Sequence, residues 1–447
     1  MEIEKKHISK SYNGNKQSMQ YAGAASGLKS ELTDTIAGFD TLEHEWEELV
    51  EKAGGHVFQS FYWLNPWWKT YGTAHGLRII TFRHNRTLVG IAPLYLDTLN
   101  FAGWPALRTL RFIGSNPPES KMKGAFIDYS VSDFLDFIVH PEYEDQVAQH
   151  LLPVLRGKIQ FDKIQLQETI PNSFTQRKLV KKLTRDHHLC RIEEKQKSPV
   201  LFIDTEDREL KLQEYINQRK SRRKLNRKME AGKNFQVRCL ESMEEVEYYF
   251  PICVQLYQSR WNEMGYPGTF YEPEHYGFME KVIREKLKRG ALWFIVAETD
   301  EGEVIAFDIN MLQNRGVYVY VGSFDPSSKY RRFSPGNAVQ LHGIKMAYRN
   351  DIRELHLLRG EESYKFNLTD ETLINSDVLV YEKHAMRFSA KSRIKLAEQW
   401  LNIRNKFYRE LTVMAIHRRE YGFAGFPRAY LKSFRDRFFE KFKREST

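Results

Sequence analysis

The stretch VYVYVGSFDPSSKYRRFSPGNAVQLHGIKMAYRNDIRELHLLRGEESYKFNL, residues 317–368, decides the reading of this chain. Val317, Val319 and Val321 alternate with Tyr318 and Tyr320, which predicts a strand with two distinct faces. That strand ends in Gly322-Ser323, and a polar loop with Lys329, Arg331 and Arg332 follows. Ser334 then suits a helix N-cap, and Pro335 suits the first helical position, where its missing N–H costs nothing. Gly336 leaves the backbone open to close approach. Leu341, Ile344 and Tyr348 keep the spacing of a core-facing helix side, and a second strand ends in Arg359-Gly360, with Tyr364-Lys365 just beyond. A helix start presents unpaired N–H groups and the positive end of a dipole, so this order of elements predicts a cleft for an anionic donor. An ordinary capped helix after a loop would show the same local pattern.

Outward from this stretch, the order of elements repeats. Leu77–Phe82, the turn His84-Asn85-Arg86 and Leu88–Leu96 predict a β-hairpin, as do Leu292–Glu298, Asp300-Glu301-Gly302 and Val304–Leu312. Helical segments precede each hairpin, Trp46–Tyr71 in one half and Met243–Arg289 in the other. A helix and an isolated strand follow each: Glu144–Leu155 with Lys163–Gln167, then Asn337–Arg349 with Glu354–Leu358. The expected fold is therefore mixed α/β (α+β), with two modules in tandem over 27–205 and 206–385. Residues 1–26 read as a disordered N-terminus and 386–447 as a basic helical tail.

The two halves differ where chemistry is expected. The first lacks a Ser-Pro-Gly helix start and has the turn-rich Gly114-Ser115-Asn116-Pro117-Pro118 instead. Asp133 and Asp136 either face a cleft or cap local structure, and Trp63, Trp67 and Trp68 read as packing residues. This half is assigned to architecture and acceptor binding. In the second half, Ile305, Phe307, Ile309 and Met311 form an apolar side, leaving Ala306, Asp308 and Asn310 on the other. Asp308 there faces either a cleft, where it would orient or deprotonate an acceptor, or solvent.

Composition narrows the class. Apolar residues make up 41% and aromatics 13%, enough for filled cores. Cys190, Cys239 and Cys253 have no CxxC spacing, and His187-His188 has no companion ligands, so neither a disulfide framework nor a metal site is expected. No stretch reaches the roughly 18 apolar residues of a membrane helix, and the polar N-terminus has no signal core, so a cytoplasmic location is expected. Residues 386–447 hold 16 Lys/Arg against 6 Asp/Glu, while the other 385 residues hold 52 of each sign. The whole excess charge of +10 thus lies in the tail. Its apolar residues recur at helical spacing: Ile394, Trp400-Leu401, Phe407-Tyr408, Leu411, Leu431, Phe434, Phe438 and Phe442. Two readings stay open, a peripheral contact with the anionic inner face of a membrane and a helical pair docked on the protein.

The loop GSFDP…FSPG, the helix and LHLLRGEESYK resemble the GNAT-type acyltransferases of the CelD/BcsL class, which are linked to polysaccharide biosynthesis. FQSFYWLNPWWKTYG, LVGIAPLYL, SDFLDFIVHP and the basic QRKSRRKLNRKMEAG resemble other parts of that family, over roughly residues 45–385. The resemblance implies two GNAT-like modules and transfer of an acyl group, acetyl in the first instance, from acetyl-CoA or another acyl-CoA. The acceptor would be an amine or hydroxyl on a small molecule, glycan or lipid-linked intermediate, with no metal involved. It implies a donor site at Gly322, Ser323, Phe324, Arg331, Arg332, Ser334, Gly336, Asn337 and Ala338. It also implies Tyr364 as general acid, with Lys365, Arg359 and Asp308 beside it. The coenzyme signature Gln/Arg-x-x-Gly-x-Gly/Ala is met only in part, since Phe333 stands where Gln or Arg is expected. The related FemAB-type peptidyltransferases share the twin modules and take aminoacyl-tRNA, whose phosphates the seven cations of residues 218–228 would suit. A non-catalytic scaffold at a membrane surface is the remaining alternative.

Overall fold

The computed structural model describes residues 27–101, 104–115, 131–185, 189–204, 206–231, 235–263, 268–386 and 388–445. The readings placed on residues 1–26, on Asn116-Pro117-Pro118 and on His187-His188 lie outside these. The first half runs β1 (Leu28–Thr33), α1 (Ile36–Asp40), α2 (Glu43–Lys52), α3 (Phe61–Trp67), β2 (Gly76–His84), β3 (Thr87–Phe101), β4 (Trp104–Phe112), β5 (Ile138–Val139), α4 (Glu144–Lys158), β6 (Lys163–Thr169), α5 (Val180–Arg185) and β7 (Leu189–Phe202). Two helices, α6 (Arg208–Gln218) and α7 (Lys220–Glu230), lead into the second half. There β8 (Gln236–Leu240), α8 (Met243–Glu263), α9 (Pro273–Lys288), β9 (Leu292–Glu298), β10 (Val304–Gln313), β11 (Gly316–Phe324), α10 (Pro335–Arg349), β12 (Glu354–His356), α11 (Ser363–Leu368) and β13 (Glu371–Tyr381) follow. The tail is α12 (Phe388–Glu445), broken at Gly422.

Thirteen strands form one sheet in the order β1-β2-β3-β4-β6-β13-β7-β12-β11-β10-β9-β8, with β5 paired to β3. The expected hairpins are present as β2–β3 and β9–β10. Asn85 and Arg86 take positive φ at the first turn, the backbone that matches strand twist in two-residue loops. The predicted symmetry reaches the strand pairing. In the first half β4 meets β6 in parallel over only Thr109–Arg111, and in the second β11 meets β12 in parallel over only Gly316–Tyr318.

One face of the β9–β12 sheet is covered by α6 and α10, with Leu212, Tyr215, Val339, Leu341, Ile344 and Tyr348 buried against Val317 and Ile295. The other face joins α8, α9 and the first half in a larger core. Trp63, Trp67 and Trp68 lie inside it, as expected for packing residues. The strict alternation read along 317–321 is corrected by a bulge. Ile309 faces Val321 and Asn310 faces Val319, so Tyr320 is the extra residue on β11. Val317 and Val319 therefore pack towards α10, whereas Tyr318, Tyr320 and Val321 all join the larger core.

Candidate active site

The site begins where β11 and β12 part. After His356 the chain is drawn towards β7: the Leu357 N–H donates to the Pro199 carbonyl and the Gly360 N–H to that of Lys197, 3.0 Å each. Meanwhile β11 continues from Val319 to Phe324 with no strand on that side. The gap opens at the carboxyl ends of parallel strands, where ligands of open α/β sheets bind.

Helix α10 supplies one wall. Pro335 occupies its first position as expected, but the N-cap reading of Ser334 is corrected. Ser334 sits in the left-handed region (φ 59, ψ 56) and its side chain makes no capping bond, because its own N–H closes the preceding turn onto the Arg331 carbonyl. The Ala338 N–H is already spent on the Ser334 carbonyl, and the Ala338 methyl is fully buried. Donors at the helix start are thus the N–H groups of Gly336 and Asn337. No acidic residue lies in this first turn. A Cβ on Gly336 would meet Phe324 at 3.2 Å, so glycine lets the helix start pack tightly on the strand end.

Cations surround this start. Lys228 of α7 donates to the Arg332 carbonyl (3.3 Å) and lies 5.2 Å from the Phe333 ring centre, with the Arg332 guanidinium 4.8 Å away on the same ring. Phe333, in place of the expected Gln or Arg, is thus flanked by two positive groups. Arg331 and Arg332 are exposed. The basic helix α7 is more than a solvated face. Its Arg222 is buried, stacks on Tyr215 and donates to the carbonyls of Tyr215 and Asn367. A cavity of about 340 Å³ between α7, β8 and α10, lined in part by Lys228, Phe333, His342 and Lys345, lies beside the loop and outside the β11–β12 gap.

Tyr364 reaches into the gap from the second position of α11. Its hydroxyl lies close to Gln340, which sits one turn beyond Gly336 on the same side of α10. Burial, then the charge of Glu362, pushes the phenol above its ordinary pKa, so it stays protonated at neutral pH. Gly336 and Tyr364 therefore both border the side of α10 that carries Gln340.

Asp308 faces neither solvent nor an acceptor channel. It is only 3% exposed and pairs across the ladder with Gly322, where any Cβ would overlap its carboxylate. Burial raises its pKa well above the carboxylate range, so the group is neutral and unsuited to act as a base. The Asp308 Oδ2, Asn310 Oδ1 and Gln340 Oε1 atoms are buried without a partner among the described residues, as is Ser323 Oγ.

Lys365 and Arg359 face away from the gap and hold its rim. The Lys365 ammonium donates to the carbonyls of Arg359 (2.7 Å) and Leu358 (3.5 Å) and pairs with Glu362 at 3.3 Å. Burial lowers its pKa, with Glu362 opposing. The Arg359 guanidinium bonds Glu168 at 2.5 Å and lies 3.5 Å from Asp133, both from the first half. Asn375 bridges the same two carboxylates. Burial pushes Asp133 up to about 6 against the pull of Arg359. Asp136 instead accepts from the Phe174 and Thr175 N–H groups and caps the turn there. Of the two aspartates only Asp133 touches the second half.

Sequence reading missed Gln340 and Arg260. Gln340 could have been found from its i+4 spacing to Gly336. Arg260 lies 4.3 Å over the Phe324 ring from α8, a tertiary contact with no local signal.

With this geometry in view, the comparison with known families is direct. Residues 217–366 match a model described as an acetyltransferase (GNAT) domain. The likeness is confined to the second half. Among solved structures, FemX aligns at 12% identity over 77% of this chain and 97% of its own, with a TM-score of 0.53, a likeness of fold. L-PGS from Bacillus licheniformis (10%, 81% and 97%, TM-score 0.45) and a tandem GNAT protein from the clavulanic acid biosynthesis pathway (11%, 78% and 98%, TM-score 0.40) align more loosely. No curated protein matches the sequence. Among the described residues there is no cluster of metal-ligating side chains, and no helix is long and apolar enough to cross a membrane.

Proposed function

We propose that the chain is an acyltransferase that moves an acyl group from an acyl-CoA to an amine or hydroxyl, with the donor held in the β11–β12 gap. What supports this is a juxtaposition: the open N–H groups of Gly336 and Asn337 at the start of α10, and the protonated Tyr364 close to Gln340 one turn further along that helix. The helix start, with Arg331, Arg332 and Lys228 around it, would take the donor's phosphates. The open edge of β11 near Gly322-Ser323 would receive the thioester arm.

In the proposed step the acceptor's lone pair attacks the thioester carbonyl and the C–S bond breaks. The phenolic proton of Tyr364 goes to the departing sulfur, and the proton lost by the acceptor returns through water. Tyr364 is the catalytic residue, while Gln340 positions it. Lys365 and Arg359 shape the rim, and neutral Asp308 keeps negative charge away from the phenol. Acceptor binding falls to the first half, which reaches the rim through Asp133. A role in polysaccharide or envelope assembly follows from the CelD/BcsL resemblance alone.

A second reading, an aminoacyl-tRNA donor as in FemAB-type enzymes, is favoured by the cations of α7 lying directly beside the helix start. Titration calorimetry separates the two. Micromolar to millimolar heat with acetyl-CoA, competed by desulfo-CoA and accompanied by thermal stabilisation, supports the coenzyme reading. Silence with acyl-CoA but salt-sensitive binding of aminoacyl-tRNA would replace it.

A further inference from the structure

The tail helix carries an apolar stripe that the fold does not cover. Its inner side is used: Ile394 and Ala397 are buried with Leu99, Ala106 and Leu107 of β3 and β4, and Val413, Ile416 and His417 are buried further along. The helix also packs against α8. Beyond the break at Gly422 the chain folds back, so that Tyr430 donates to Glu410 at 2.9 Å. The docked reading of the tail is thus realised on one side only.

Leu396 (66% exposed), Trp400, Ile403 (69%), Phe407 (61%), Leu411, Met414 and Tyr421 remain exposed on the other. Their steps of 4, 3, 4, 4, 3 and 7 residues place all seven within about 80° of the helix circumference over roughly 38 Å. Exposed Arg393, Lys395, Lys406, Arg418 and Arg419 are distributed along the same helix.

We infer that this stripe docks on an anionic phospholipid surface, with the helix lying in the headgroup plane. Two observations select this occupant. All of the chain's excess charge of +10 lies in residues 386–447, which an anionic surface neutralises and a second copy of the same tail would repel. The row of Leu396, Ile403, Phe407 and Met414 offers aliphatic and aromatic surface that a hydrocarbon boundary buries and a polyanion such as RNA does not. Because α12 touches α8, which carries Arg260 to the donor site, the cleft would work close to the surface. An acceptor presented there, such as a lipid-linked one, fits that placement.

The test is co-sedimentation of the full chain with vesicles of phosphatidylcholine alone or with 30% phosphatidylglycerol, at 50 and 300 mM salt. The expected result is binding to the anionic vesicles that weakens with salt, and at least a tenfold loss of partitioning in Ile403→Glu/Phe407→Glu. Lys406→Glu/Arg418→Glu should weaken binding by a smaller factor. Unchanged melting temperature and unchanged donor binding show that each variant is folded and that the active site is intact. No binding by the wild-type chain, or equal binding by Ile403→Glu/Phe407→Glu, overturns the inference. So does a wild-type dimer in vesicle-free buffer that Phe407→Glu converts to monomer, since a second copy would then cover the stripe. Tighter binding to RNA than to vesicles, insensitive to Ile403→Glu/Phe407→Glu, also overturns it.

Discussion

Helices α4 and α10 hold equivalent places in the two halves, each before the strand that makes a short parallel pair, yet their first turns are electrostatic opposites. The start of α4 carries Glu144 and Asp145, which neutralise the dipole from within and engage Arg177 and Lys178. The start of α10 has Pro335, Gly336 and Asn337, no acid, and cations from α7 and the preceding loop. One half has satisfied its helix start with its own carboxylates, and the other has left it open for an external anion. On the proposed reading, side-chain charge is what distinguishes the donor half from its counterpart.

The comparison is broken most severely by cutting the bridge between the halves. Arg359→Met leaves Asp133 and Glu168 buried without their cation, and is expected to cost about 3–5 kcal/mol of stability in urea denaturation. A loss under 1 kcal/mol would show that the halves do not depend on this pairing. Gly336→Glu places bulk against Phe324 and a negative charge at the open helix start, and acyl-CoA affinity measured by calorimetry should fall at least about 100-fold, close to 3 kcal/mol. Retained affinity would move the donor elsewhere. Tyr364→Phe should lower kcat by about 100-fold with KM little changed, the lower end of what a positioned acid contributes. An equal rate with an identified acceptor removes its role.

Acid sensitivity should trace to the junction. His56 is part-buried against Tyr318 and is held neutral, its pKa lowered to about 4 by burial first and then by His356. Its folded value lies below the unfolded 6.5, so stability is complete above pH 6.5 and falls as pH drops towards 4. Melting curves across that window should decline, and His56→Phe should flatten the decline. The smallest effect belongs to the closed helix. Glu144→Gln should cost no more than about 1 kcal/mol through its partly exposed ion pairs and leave donor affinity unchanged.

What was legible in the sequence was what short-range chemistry dictates. Turn residues such as Asn85-Arg86 and Gly302 mark both hairpins, and Ser-Pro-Gly marks the start of α10, because positive φ and proline restrict few residues to those places. The bulge at Tyr320 was hidden, since an extra residue is defined only against the partner strand. Asp308 looked like a surface or cleft group because alternation gives a side and not what covers it. Here α10 covers it. Lys365 was read as a ligand contact from its neighbour Tyr364, but adjacent helical residues point about 100° apart, and its ammonium turns inward to the carbonyls of Leu358 and Arg359.

The interleaving of β7 and β13 has a practical outcome for anyone dividing this protein. Strand β13 belongs to the second half, but both of its neighbours, β6 and β7, come from the first. A fragment starting at residue 206 would lose both strands flanking β13 and expose the edge of β12. Such a piece would offer bare backbone to other chains and precipitate. The second half is a tenant of its neighbour's sheet and cannot be carried off as a portable cassette.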